Sequence, residues 1–112
     1  MNLLKVLKSQ IIAKKGIEIG QDCLLAQGVI IRDNDGHKLD TGSNQNLDET
    51  ISEVIIGNHC WIGQRAMILK GVVIEENAII AAGAVVTTSV KAGSIVAGVP
   101  ARVIKENVSW SA

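Results

Sequence analysis

The segment IIRDNDGHKLD, residues 30–40, concentrates side chains that can move protons. It places His37 directly after Gly36 and close behind Asp33 and Asp35. An imidazole has an ordinary pKa of about 6.5, so His37 is suited to take a proton from a substrate hydroxyl or amine at neutral pH. The same residue types also build exposed turns, and a histidine beside a glycine fits that simpler role.

The two aspartates of this segment allow two interpretations. Either Asp33 or Asp35 accepts a hydrogen bond from the imidazole and fixes its tautomer, or both carboxylates form Asx turns. Turn formation accounts for both residues without a ligand, and we favour it.

The remaining histidine and the cysteines do not suggest a metal site. His59 falls in the turn part of IGNHCW, where we expect a solvated surface residue. Catalytic zinc sites use three protein ligands, and two histidines are too few for the three-histidine site of a zinc carbonic anhydrase. Cys23 and Cys60 lack CxxC spacing, so we interpret both as small core residues. We therefore expect no metal.

The composition describes one small domain with an aliphatic interior. The 112 residues have a formal net charge of zero and include no Phe, no Tyr and only two Trp. A neutral chain gives no reason to expect nucleic acid or an anionic membrane as a partner. The N-terminus lacks the apolar region of a signal peptide, and no apolar run approaches the ~18 residues of a membrane span. We expect a cytoplasmic protein without membrane insertion.

An aliphatic residue recurs every six positions through the second half of the chain. A small or branched apolar residue stands two positions before each one, and the same pattern occurs earlier at Ile19, Leu25 and Ile31. A period of six fits a short strand followed by a turn, with the apolar pair pointing inward. The recurring residues are Ile56, Ile62, Ile68, Ile74, Ile80 and Val86, preceded by Val54, Cys60, Ala66, Val72, Ala78 and Ala84.

Three such units make one triangular coil, and stacked coils form a parallel β-helix, of which about four coils fit this chain. The repeat shifts phase between Ile31 and Ile56, where residues 38–53 are polar and read as a protruding loop. We expect an N-terminal cap at 1–15, either a short helix or an irregular coil, a β-helix at 16–106 and a tail at 107–112. His37 stands at the base of the loop.

Trp61 interrupts this otherwise aliphatic pattern. Cys60 and Ile62 on either side belong to the inward series, so Trp61 must point outward. An exposed indole leaves a large apolar area without a partner. We expect it to lie at a subunit interface, in a ligand cleft, or both.

These hexads, with CWIGQRAMILKGVVI, AAGAVVT and AGVPARVIK, resemble the hexapeptide-repeat acyltransferases over residues of about 16–105. The combination is similar to the branch that acetylates sugars and other small hydroxyl or amino acceptors. The resemblance implies an all-β, left-handed parallel β-helix. It implies acetyl-CoA as the acyl donor and a homotrimer with a site between each pair of neighbouring chains.

The resemblance also assigns roles around the reacting atoms. His37 corresponds to the general base at the foot of the loop, and Trp61 to the tryptophan that borders the active site. The backbone N–H of Gln64 corresponds to the donor that faces the thioester oxygen, where it would stabilise a developing oxyanion.

Further residues correspond to the family's coenzyme A contacts. Ala82 and Thr87 match positions along the pantetheine arm, although small residues also suit the turns of any hexad. Arg102 and Lys105 match the basic residues that meet the 3′-phosphate, although both also suit a solvated tail. Arginine binds phosphate well because its donors form a rigid fork.

The sequence thus predicts an acetyl-CoA-dependent O-acetyltransferase that acts on a saccharide or related hydroxyl by direct transfer. Two alternatives stay open. One is N-acetylation of an amino sugar, and the other is a shortened, inactive solenoid that serves as an assembly module. The family carries more chain before its first coil, including groups that hold the acceptor, and only fifteen residues precede the expected first coil here.

Overall fold

The structure is a computed structural model that describes the backbone of residues 4–6 and residues 10–13, 15–36 and 51–111 in full. Every regular element in these ranges is a short β-strand. The strands are β1 Leu4–Val6, β2 Gln10–Ile12, β3 Ile17–Ile19, β4 Cys23–Leu25, β5 Ile30–Arg32, β6 Val54–Ile56, β7 Trp61–Ile62, β8 Met67–Ile68, β9 Val73–Ile74, β10 Ile79–Ile80, β11 Val85–Val86, β12 Ile95–Ala97 and β13 Arg102–Lys105.

The strands stack into three sheets because each sheet takes every third strand in turn. The sheet orders are β1-β4-β7-β10-β12-β13, β2-β5-β8-β11 and β3-β6-β9. All pairings are parallel except that of β12 with β13. A bridge between Ile74 and Val90 completes the third side of the fourth coil. This is a parallel β-helix of about four coils, as the repeat predicts.

The core is the column of inward side chains that the six-residue period identifies. All twelve residues of the two inward series from Val54 to Val86 are buried, which confirms the predicted register. Leu25 and Ile31 continue the column into the second coil, and Ile17 and Ile19 pack against it in the first. Each fully buried aliphatic side chain contributes roughly 1.5–3 kcal/mol.

Tight turns join the sides of each coil, and several need a left-handed backbone. Gly63 shows how closely the coils approach, because a Cβ there would lie 2.6 Å from the backbone nitrogen of Ala82. Asp22, His59 and Asn77 adopt positive φ in equivalent turns of consecutive coils, and Gly93 does so in the next. We call Asp22, His59, Asn77 and Gly93 the turn column.

The described part of the N-terminal segment belongs to the β-helix, so at residues 4–6 and 10–12 the expectation of a helical or irregular cap is wrong. β1 pairs with β4 and β2 pairs with β5, both in parallel register. Ile11, which lies within the expected cap, is 46% exposed. The short apolar runs here form strands because the edges of β4 and β5 offer hydrogen-bonding partners, which a local pattern does not reveal.

The chain leaves the β-helix after β5 and returns just before β6. Asn34 forms an antiparallel bridge with Ile51, and Ser52 N–H donates to the Asp33 carbonyl at 2.8 Å. Gly71 N–H donates in turn to the Ser52 carbonyl at 3.1 Å. The last residues of the predicted loop 38–53 are thus already attached to the coils. His37 and residues 38–50 lie outside the described residues.

The C-terminal residues fold back along the β-helix. β13 runs antiparallel to β12, with Ala97 opposite Arg102. Beyond it, Val108 N–H donates to the Gly93 carbonyl at 2.9 Å. Within the ranges that the structure describes, there is no helix with the length and hydropathy of a membrane span.

Candidate functional site

A groove with a volume of about 500 Å³ lies along one face of the β-helix. Trp61 and Gln64 of the third coil line it, together with Ala26 and Gln27 of the second coil and Ala82 of the fourth. Trp61 reaches the groove because the two-residue alternation turns Cys60 and Ile62 inward, and its side chain is 40% exposed. This confirms that Trp61 points outward and shows that it borders a cleft.

The backbone around Gln64 presents a polar edge to this groove. The Gly63 carbonyl, which shares a peptide plane with the Gln64 N–H, accepts a hydrogen bond from Ala66 N–H at 3.2 Å, and this bond fixes that plane. The amide N–H of Gln64 makes no hydrogen bond with the described residues. A fixed, unpaired N–H beside a cleft is a donor that a ligand oxygen can use.

The structure brings together only some of the predicted site residues. Trp61, Gln64 and Ala82 line the same groove, whereas Thr87 follows β11 and does not line it. Arg102 borders a separate cavity of about 110 Å³ and donates to the Ala101 carbonyl at 3.1 Å. Lys105 ends β13 opposite Ile95. Both basic side chains are exposed, and neither makes an ion pair with a described residue.

The two aspartates of residues 30–40 form hydrogen bonds or ion pairs with residues of the β-helix. Asp33 is fully buried, and its Oδ2 accepts from the backbone N–H groups of Lys15 and Gly16 at 2.6 and 2.7 Å. Asp35 pairs with Lys70 at 2.6 Å. The favoured assignment of both aspartates to Asx turns is therefore wrong in detail, because Asp33 holds a turn of the preceding coil and Asp35 forms an ion pair.

The Asx turn in this segment belongs to Asn34 instead. Asn34 Oδ1 accepts from Gly36 N–H at 2.8 Å, and its Nδ2 donates to Asp33 Oδ1 at 2.9 Å. Asn34 also lines a cavity of about 260 Å³ with Gln10, Arg32 and other residues. Apolar side chains, among them Ile30 and Met67, also line this cavity, which lies at the end of β5. His37 is outside the described residues.

His59 is not the solvated surface residue that we expected from the sequence. Its ring stacks on that of Trp110 with centroids 4.0 Å apart and an interplanar angle of 7°. Nδ1 lies 2.7 Å from Asp22 Oδ2, and Nε2 lies 2.7 Å from the Trp110 carbonyl oxygen. Hydrogen bonding to Trp110 and to Asp22 raises the pKa of His59 above its ordinary value.

This cluster was missed because it depends on how the tail folds back. The signal in the sequence was a second tryptophan and Val108 in an otherwise polar C-terminus. A polar tail does not usually carry an indole unless part of the fold covers it.

Both cysteines are buried, unpaired core residues, as predicted. The Cys23 thiol donates to the Gly57 carbonyl at 3.1 Å, and the Cys60 thiol donates to the Glu75 carbonyl at 3.2 Å. The hydrogen bond with Cys23 and burial raise the pKa of the Cys60 thiol well above its usual range. Cys60 is thus a poor nucleophile.

Metal binding is not indicated by any group of three His, Cys, Asp or Glu side chains within the described ranges. Because His37 lies outside these ranges, the absence of a metal stays a prediction.

Two family models match the chain. The model described as "Bacterial transferase hexapeptide (six repeats)" matches residues 53–88, and "Hexapeptide repeat of succinyl-transferase" matches residues 8–33. The second match supports the finding that the first coil begins before residue 16. Together they cover more than half of the chain.

Curated relatives share the same region. The chain is 34% identical over 98 residues to a polysialic acid O-acetyltransferase from Escherichia coli O1:K1 / APEC, covering 88% of this chain and 32% of that protein. It is 36% identical over 90 residues to the galactoside O-acetyltransferase of Escherichia coli (strain K12), covering 80% and 44%. A tetrahydropyridine-dicarboxylate N-acetyltransferase of Staphylococcus aureus (strain JH9) is 54% identical over 55 residues, covering 49% and 23%. The chain thus spans less than half of these relatives.

Solved structures extend the similarity to nearly the whole chain. The polysialic acid O-acetyltransferase OatWY superposes with a TM-score of 0.90 at 36% identity, covering 97% of this chain and 53% of that one. A galactoside acetyltransferase in complex with coenzyme A superposes with a TM-score of 0.77 at 32% identity, covering 88% and 49%. The stacked hexads thus form the left-handed β-helix of these enzymes, and the chain belongs to the hexapeptide-repeat acyltransferase family, in its sugar O-acetyltransferase-like branch.

Proposed function

We propose that the protein is an acetyl-CoA-dependent O-acetyltransferase whose acceptor is a saccharide or a related small hydroxyl compound. The observation that carries this proposal is the groove in which Trp61, Gln64 and Ala82 meet. The names of the sugar O-acetyltransferases that the chain resembles support the same reaction class.

The groove suits the pantetheine arm of acetyl-CoA. Its volume is in the range of ligand clefts, and its lining is mainly apolar apart from the Gln27 and Gln64 positions. Ala82 leaves room for a chain-like ligand, because a larger side chain there would project into the cleft. The unpaired Gln64 N–H is available to the thioester carbonyl oxygen, where it would stabilise the negative charge of the tetrahedral intermediate.

The proposed reaction is a direct transfer between two bound substrates. The acceptor oxygen attacks the thioester carbonyl carbon while His37 takes the hydroxyl proton. The tetrahedral intermediate then collapses, the carbon–sulfur bond breaks, and the thiolate of coenzyme A leaves and accepts the proton that His37 took from the acceptor. The acetyl group ends on the acceptor oxygen, and no cysteine takes part.

His37 is proposed as the base because it directly follows Gly36, the last described residue before the loop. The segment that leads to it is anchored by Asn34 and by the Asp35–Lys70 ion pair. A rigid anchor just before a base helps to aim it. The amide and guanidinium groups of Gln10, Asn34 and Arg32 in this cavity are suitable partners for acceptor hydroxyls.

Thr87, Arg102 and Lys105 are proposed to contact coenzyme A outside the groove of a single chain. A homotrimer would place a second chain beside each groove and deepen it. In that arrangement, Thr87 lies along the pantetheine arm, and the two exposed basic residues meet the 3′-phosphate.

The proposal is tested by mixing the purified protein with acetyl-CoA and a panel of neutral sugars, acidic sugars, amino sugars and oligosaccharides. Release of free thiol is measured with a thiol reagent, and the acetylated product is identified by mass spectrometry. We expect acceptor-dependent release and an ester product. Thiol release that is the same with and without every acceptor would contradict the proposal.

Two alternatives give different results in the same assay. N-acetylation is supported by the similarity to an N-acetyltransferase over 55 residues, and it would yield an amide on the amino sugars alone. An assembly module would bind coenzyme A, or nothing, and would turn over none of the panel.

A further inference from the structure

The C-terminal tail, residues 107–111, packs against the turn column. The column is continuous because backbone hydrogen bonds join its turns from coil to coil. His59 N–H donates to the Gln21 carbonyl at 2.8 Å, and Asn77 N–H donates to the Asn58 carbonyl at 3.0 Å. The tail is therefore held against a rigid ladder of turns.

Two column residues hold the tail. Val108 N–H donates to the Gly93 carbonyl at 2.9 Å, and a Cβ on Gly93 would lie 3.4 Å from the Val108 carbonyl oxygen. Trp110 Nε1 donates to the His59 carbonyl at 2.8 Å, while its indole stacks on the His59 ring. The tail thus has both a hydrogen-bonded path and a stacked aromatic anchor.

The His59 ring faces a hydrogen-bond acceptor at each nitrogen. The partner of Nε2 is the Trp110 carbonyl oxygen, and the partner of Nδ1 is the Asp22 carboxylate, each at 2.7 Å. Because a carbonyl and an ionised carboxylate only accept, both bonds form only when both ring nitrogens carry protons. The geometry therefore requires the imidazolium cation.

The surroundings of His59 favour that cation. The titratable groups facing it are Asp22, in the turn before β4, and the Cys23 thiol. The next turn of the column offers Asn77, which is uncharged, and the tail offers the Trp110 carbonyl. Hydrogen bonding to Trp110 and then to Asp22 raises the pKa of His59, so the cation persists above its ordinary titration range.

Trp110 also touches the wall of the groove. Its ring centroid lies 5.9 Å from that of Trp61, with the two planes tilted by 48°. Together with Leu24 and Ser111, the two indoles line a cleft of about 210 Å³. Trp61 therefore stands between this cleft and the groove and borders both.

We propose that Trp110 is a positioning residue that fixes the Trp61 indole as a wall of the acyl-donor groove. His59 and Asp22 hold Trp110 in place only while His59 is protonated, and we call this pair the fastening. The proposal rests on the proposed function, because it assumes that the groove takes coenzyme A. When His59 loses a proton, one of the two ring hydrogen bonds must be lost. The tail then loosens, Trp61 becomes mobile, and the donor binds less tightly.

The sign of the pH dependence follows from the raised pKa of His59. The fastening is complete below the ordinary histidine pKa of about 6.5, and it is lost as the pH rises through the higher value of the folded protein. The pH range over which the fastening is lost therefore lies above pH ~6.5.

The fastening is tested first by fluorescence, because Trp61 and Trp110 are the only tryptophans. The Trp61→Phe variant leaves Trp110 as the sole emitter, and a stacked imidazolium quenches indole emission. We expect its emission to rise with pH in one titration with a midpoint above about 6.5. Adding His59→Asn should abolish the titration, while asparagine keeps the left-handed turn. Ser109→Ala, elsewhere on the tail, is the control and should titrate like its parent. A flat profile in the parent, or equal titrations with and without His59, would overturn the fastening.

The positioning of Trp61 is tested in variants that keep it as the sole tryptophan. Both variants keep the backbone carbonyl, but Trp110→Phe also retains an aromatic ring that can stack on His59, whereas Trp110→Ala does not. We expect acrylamide to quench Trp61 more strongly at pH 9 than at pH 6 in the phenylalanine variant, and equally strongly at both in the alanine variant. Equal quenching of Trp61 in both variants at every pH would overturn the positioning.

Calorimetry of coenzyme A binding tests whether the fastening affects the binding of the acyl donor. In the unmodified protein we expect the affinity to fall several-fold across this pH range, and in Asp22→Asn we expect the fall at lower pH. His59→Asn should bind weakly with no pH dependence. A merely structural loss would lower the affinity without changing its pH profile, and this result would overturn the proposal. If coenzyme A binds at no pH, the proposed function fails, and the two fluorescence tests still decide whether Trp110 holds Trp61.

Discussion

At the scale of single residues, the predicted base and the described groove belong to one chemical scheme. In the proposed reaction, the Gln64 N–H donates to the thioester oxygen and His37 removes the proton of the acceptor. These roles are separable, because a base acts on the acceptor hydroxyl whereas the groove binds the donor. A substitution of His37 should therefore leave the affinity for coenzyme A unchanged, and a substitution in the groove should leave proton removal unchanged.

The His37→Ala variant tests the base. We expect kcat to fall by ~10²–10⁴ because general-base catalysis typically contributes that factor. The affinity for coenzyme A, measured by calorimetry, should stay close to that of the unmodified protein. A variant that keeps half of its kcat would remove His37 from the mechanism.

The Arg102→Ala/Lys105→Ala double variant tests the phosphate contact. Both side chains are exposed and unpaired with the described carboxylates, so they are available to a phosphate. We expect KM for acetyl-CoA to rise, with a much smaller change for 3′-dephospho-acetyl-CoA, which lacks the bound group. Steady-state kinetics with both donors measures the difference. Equal losses with the two donors would mean that β13 acts through packing.

At the scale of elements, the alternation within very short strands decides which side chains form the core. Val72 is 1% exposed and Val73, its neighbour, is 38% exposed. The same residue type thus occurs in adjacent positions with opposite environments, which provides a matched pair for measuring core packing.

We expect Val72→Ala to destabilise the fold by about 2–3 kcal/mol, because two buried methyl groups are lost and a cavity remains. Val73→Ala should cost less than about 0.5 kcal/mol, as for most surface positions. Urea denaturation followed by circular dichroism measures both changes in the free energy of unfolding. Equal losses would mean that Val73 is also buried, as it would be at a subunit interface.

Much of this architecture was accessible from the sequence. The period of six identified the buried column from Val54 to Val86, and the alternation predicted the outward Trp61. The first two strands were not predicted, because Val6 and Ile11, which pair with Leu25 and Ile31, do not continue the six-residue spacing that begins at Ile19. The docked tail was missed for a related reason, since contact of Trp110 with His59 depends on a turn 51 residues earlier in the chain.

At the scale of the whole molecule, the chain has principal extents of 47 × 28 × 20 Å, and its β-helix has three sheets as sides. The groove beside Trp61 is open rather than enclosed. A long cofactor such as acetyl-CoA would be incompletely covered by one chain. Packing of faces between chains is the simplest way to deepen the groove, and this supports the proposed homotrimer.

The assembly is tested by sedimentation velocity together with activity over a dilution series. We expect a trimer at micromolar concentration and a loss of specific activity as dilution dissociates it. A monomer at ~1 µM with full specific activity would rule out a site shared between chains. An inactive monomer would instead favour the solenoid module.

The closure of the chain before β6 has an evolutionary consequence. Asn34 bridges Ile51, and Ser52 donates to Asp33, so the point of departure and the point of return are tied together on the β-helix itself. What lies between them can lengthen at little cost, because doubling a flexible connection costs only about 0.6 kcal/mol in closure entropy. Proteins that share these stacked coils can therefore differ in the length of this connection while the strands that flank it keep their pairing.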